Sequence, residues 1–191
     1  MGKLGRTIQV GLLVGAALAL TMAPVLAATV SGSLSGFEDA VPTCTGSGST
    51  LSCTASFAGY FSASKYRDSG FWNATVEHGP LPETSGNTGS TGTITGGLFA
   101  LDMLSGKVVT GSGMTGTITY DAPSYSWFGC TQTYALTIGF GSVSGTSAFS
   151  TASVSDATLT HYGTSITTTD GHSSCNGIYF ATVTGILTLG S

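Results

Sequence analysis

Polar and apolar residues alternate along most of the chain. In "TLSCTASFAGYF", Leu51, Cys53, Ala55, Phe57 and Phe61 share one phase, and Thr50, Ser52, Thr54 and Ser56 take the other. In "TQTYALTIGF", Tyr134, Leu136, Ile138 and Phe140 line one face. In "GIYFATVTGILTL", Tyr179, Ala181, Val183, Leu187 and Leu189 do the same. A strand sends successive side chains to opposite faces, so each segment has one core face and one solvated face. That one-sidedness belongs to antiparallel sheets. Strands are predicted near 29–36, 50–61, 70–78, 91–104, 106–111, 114–121, 131–140, 146–160 and 177–189. Runs of Gly, Asn, Asp and Ser between them supply turns. The expected fold is an all-β antiparallel sandwich or barrel of roughly eight to ten strands, stapled by disulfides.

Gly111-x-Gly113-x-x-Gly116 has the spacing of a dinucleotide-binding turn. Such a turn must lead into a helix whose N-terminus holds the pyrophosphate. Here Thr117-Ile118-Thr119-Tyr120 follows, which is strand sequence. The stretch reads instead as a hairpin with Gly111-Ser112-Gly113 at its corner.

The first 27 residues change the picture of where the protein resides. Lys3 and Arg6 precede an apolar run from Val10 to Leu20, and Val25-Leu26-Ala27 resembles a cleavage site. Residues 1–27 are therefore expected to be a removed signal peptide, leaving 28–191 as a single all-β domain. The mature chain is expected to have no membrane span and to be secreted or extracellular, with retention at the cell surface as the variant of that reading. Three basic residues then remain against nine acidic ones, a formal charge of −6. So few cations cannot neutralise many phosphates, which excludes nucleic acid as a partner.

Cys44, Cys53, Cys130 and Cys175 are an even set in an exported chain, so two disulfides are expected. The preferred pairing is Cys44–Cys53 with Cys130–Cys175. No C-x-x-C pair exists, and His78, His161 and His172 lie far apart in sequence. No metal and no cofactor is expected. "GHSSC" at 171–175 approaches a nucleophile elbow, but strand sequence follows it where a helix is needed. No catalytic residues are assigned.

Thr-x-Thr triplets recur at irregular spacing, so they read as a neutral solvated strand face and not as a regular ice-matching array. Two aromatic-rich stretches stand out. Tyr60, Tyr66, Arg67 and Trp72 fall in one, and Tyr125 and Trp127 in the other. Aromatic faces beside a few polar groups suit a sugar ring or a partner protein. The leading expectation is a non-catalytic extracellular module that binds a glycan or surface protein through these loops. A structural, self-associating surface component is the alternative, and a small secreted hydrolase a lesser one. Asn73-Ala74-Thr75 is a glycosylation sequon; if used, it turns Asn73 outward and Trp72 inward.

Overall fold

A computed structural model describes residues 29–47, 50–80, 91–127, 129–146, 148–169 and 172–191. The leader expected over 1–27 lies outside these residues. Eleven strands form: β1 (Thr29–Thr45), β2 (Ser52–Ala63), β3 (Gly70–His78), β4 (Thr91–Met103), β5 (Val108–Tyr120), β6 (Ser124–Ser126), β7 (Gly129–Gly145), β8 (Thr151–Gly163), β9 (Ser165–Thr169), β10 (His172–Asn176) and β11 (Phe180–Gly190). Eight of them close into an antiparallel barrel in the order β1-β2-β3-β4-β5-β7-β8-β11. Closure comes from two pairings distant in sequence: β1 with β11 and β5 with β7. β6 continues the edge of β7 that β5 leaves, and β9–β10 form a separate hairpin.

Inside and outside follow the alternation. Leu34, Phe57, Phe61, Trp72, Leu101 and Tyr134 are among the buried inner residues. Facing outward are rows of hydroxyls such as Thr93, Thr117 and Thr137, which sit opposite one another on β4, β5 and β7. The Thr117 and Thr137 hydroxyls are 2.8 Å apart. Among the described residues no helix is long and apolar enough to cross a membrane.

The hairpin expected around Gly111-Ser112-Gly113 does not form. β5 runs straight through it. What changes at Gly113 is the phase: Val109 and Gly111 face inward before it, and Met114, Ile118 and Tyr120 after it. β4 changes phase at Gly97 and β7 at Gly141. The register on either side sets Gly97 opposite Gly113, and Gly113 opposite Gly141. Gly97 and Gly113 have φ of 141° and 63°, which disfavours any side chain. This row of glycines bends three neighbouring strands together, as sheet closure requires.

Both disulfides lie at one end of the barrel. Cys44–Cys53 joins β1 to β2, and Cys130–Cys175 joins β7 to β10. The preferred pairing is thus the one the fold adopts. Two covalent staples are the usual mark of an extracellular protein.

Candidate functional site

The two ends of the barrel are built differently. At the end opposite the disulfides, Phe61, Leu101, Val109, Leu187 and Leu189 are wholly buried and plug the interior. Toward the disulfide end Ala55, Ala74 and Ala157 leave room between larger inner side chains, and a cavity of about 350 Å³ opens. Phe57, Trp72, Met114, Tyr134, Leu136 and Val154 form most of its wall. Pro42, Cys44, Ile178 and Thr184, exposed or half-buried, bring it to the surface.

The β9–β10 hairpin bounds one side of this mouth. The Cys130–Cys175 disulfide holds it to β7. The Cys175 backbone N–H donates to the Gln132 side-chain carbonyl at 2.9 Å, and the Tyr120 hydroxyl donates to the Ser173 carbonyl at 2.6 Å. Ser174, Cys175 and Asn176 from this hairpin line the cavity. Ser173 and Cys175 lie in a strand paired with β9, so "GHSSC" is not a strand-to-helix elbow.

A few polar groups interrupt the apolar wall. Trp72 is 5% exposed, and its indole N–H has no partner. His161 packs edge-on against Tyr134, with ring centroids 5.2 Å apart, and its Nε2 is buried without a partner. Burial, reinforced by nearby His78, pushes the His161 imidazole below its ordinary pKa and keeps it neutral. His78 Nδ1 lies 2.8 Å from the Gly79 carbonyl, which can only accept, so Nδ1 is the donor of this pair. Glu38 lines the cavity at half burial, where two β-bulges carry β1 away from regular pairing with β2. Burial, with Asp39 adding like charge, raises its carboxyl from 4.5 to about 7. Among the described residues no three His, Cys, Asp or Glu side chains converge on a metal position.

The residues singled out from the sequence do not converge. Trp72 lies inside the barrel, on a strand and not in a loop. Tyr60 sits on the outer wall against Phe71, at a centroid distance of 5.3 Å. Tyr66 and Arg67 are exposed on the β2–β3 connection at the plugged end. Tyr125, within β6, and Trp127, on the β6–β7 connection, are exposed at the mouth end. Asn73 faces outward and Trp72 inward, the arrangement the sequon needs. The groups missed from sequence are Glu38, His78 and His161 as cavity-facing residues. Their signal was phase: His78 is in step with Trp72 and Val76, and His161 with Leu159.

No protein-family model, curated protein or solved structure matches the chain.

Proposed function

We propose that this chain is a secreted carrier that holds a small, largely apolar molecule inside its barrel. The observation that carries the reading is the cavity of about 350 Å³, apolar in its walls and open at one end. Its size falls within the range of small-molecule sites, which are mostly apolar with a few placed polar groups. An eight-stranded barrel has an interior wide enough for one small ligand. The unpartnered Trp72 N–H gives such a ligand a donor to meet, and a buried donor gains when it finds an acceptor. The leader and both disulfides support export.

A second reading rests on Trp127 and Tyr125, which are fully and largely exposed beside the mouth. Exposed aromatic rings suit contact with a glycan or a partner protein.

The chain has two tryptophans. Trp127→Phe therefore leaves Trp72, in the cavity wall, as the sole indole reporter. Titrating that variant with 1-decanol should change Trp72 emission saturably, with a matching heat by calorimetry. No saturable signal in either measurement up to the alcohol's solubility would refute the carrier reading.

A further inference from the structure

Basic residues are confined to one end of the barrel, where Asp68 and Asp102 also lie. Lys65, Arg67 and Lys107, the only Lys or Arg among the described residues, lie on the connections at the plugged end. Glu38, Asp39, Glu77 and Asp121 lie toward the mouth end. Of these, Glu38 alone lines the cavity. The strands beside it give it no counter-charge. The inward face of β2 carries no ionisable group apart from the disulfide-bonded Cys53, and β11 carries none at all. Two strands away on either side stand His78 on β3 and His161 on β8, both lining the cavity, and Asp39 adds like charge. A half-buried carboxyl thus faces an apolar cavity with no Lys or Arg at its end of the molecule among the described residues.

From this arrangement we infer that the ligand is an amphipathic amine, whose apolar body fills the barrel and whose ammonium pairs with Glu38. The inference rests on the carrier reading above. A desolvated carboxylate is costly alone and favourable beside an opposite charge, so an ammonium meets the need this site creates. A carboxylate or phosphate ligand would enter past Glu38 and Asp39 and find no Lys or Arg at this end among the described residues. The field of the acidic end also draws cations toward the mouth. The proton balance is definite. Free protein below about pH 7 carries Glu38 protonated, so binding the ammonium releases that proton. Affinity should fall roughly tenfold per pH unit well below that point.

The test compares decylamine with 1-decanol by calorimetry, near pH 8 and near pH 5.5, on the full protein and on Glu38→Gln. Near pH 8 the amine should bind roughly tenfold or more tightly than the alcohol. Near pH 5.5 that advantage should vanish. Glu38→Gln should bind both compounds alike at either pH. If wild type binds both equally near pH 8, the amine assignment is wrong and the carrier reading stands. If neither binds, both fail. An amine preference or its pH dependence that survives in Glu38→Gln overturns the role of Glu38. The wild type supplies an independent check near pH 6. Titrations in two buffers of different ionisation enthalpy should show close to one proton released per amine, and no release would overturn the proposal.

Discussion

Glu38 and His161 put opposite pH dependences into the same small barrel. The Glu38 carboxyl titrates near pH 7 in the fold against 4.5 in an unfolded chain. Between those values the folded protein holds the proton more tightly, so this group's contribution is full below pH 4.5 and is lost as pH rises to 7. His161 acts in the other direction. Its imidazole is held neutral, so below pH 6.5 the unfolded chain takes up a proton that the fold refuses, and stability falls toward acid. The two trends run in opposite directions below pH 6.5, so a wild-type profile alone mixes them. Glu38→Gln removes one of them. Relative to wild type, that variant should gain stability as pH rises from 5 to 8, measured by urea unfolding at each pH. A difference that stays constant over that range would contradict the assignment. Glu38 was legible only in part. It continues the inward phase of Val30, Gly32, Leu34 and Gly36, but "EDAVPT" breaks the alternation that defines a strand. Two bulges carry β1 onward through that break. Trp72 was visible as an aromatic anchor in a loop, and its inward direction followed only if the Asn73 sequon is used. Its role as a cavity wall did not, because that depends on what the opposite strands leave unfilled.

The elements that shape the mouth are held covalently, and the two staples differ in reach. Cys44–Cys53 spans 9 residues and Cys130–Cys175 spans 45. On a chain-entropy account, the short loop contributes about 2.5 kcal/mol and the long one about 4 kcal/mol. Replacing Cys130 and Cys175 with Ala should therefore cost more stability than replacing Cys44 and Cys53. Only the former change should speed amide exchange across residues 173–176. Equal losses, or an unchanged exchange pattern, would contradict this account of the hairpin. That hairpin was read as turn sequence, and the reason is physical. "SITTT" and "HSSCN" offer only Ile166 and Cys175 as apolar residues, so neither strand shows a core face. Its place is set by a disulfide, the Gln132 and Tyr120 hydrogen bonds and its own pairing. The glycine row misled in the opposite way. A phase change at Gly113 looks like the corner of a hairpin when one strand is read alone. It becomes a bend within a continuous strand only when Gly97 and Gly141 stand beside it.

At the scale of the whole molecule, period-two alternation with polar turns leads to an all-β antiparallel fold, which the structure bears out. It does not distinguish a sandwich from a barrel. The distinction rests on β1 meeting β11 and β5 meeting β7, and pairings so distant in sequence leave no mark in local alternation. The cavity is still less legible, because it is a sum. Large residues such as Phe61, Leu101 and Leu187 fill one end, and Ala55, Ala74 and Ala157 leave space toward the other. The result is a molecule with a plugged base, an apolar chamber, a mouth edged by acids and an outer wall that carries hydroxyl rows together with exposed apolar side chains such as Phe71 and Leu98. The central claim is that a small molecule is held in this chamber. A crystal structure of the protein grown with 1-decanol tests that claim most directly. Ordered alkyl density is expected inside the barrel against Trp72 and Leu136, with the plug of Phe61 and Leu187 unmoved. Alcohol bound only on the outer wall or at Trp127, with the chamber closed by shifted side chains, would contradict it.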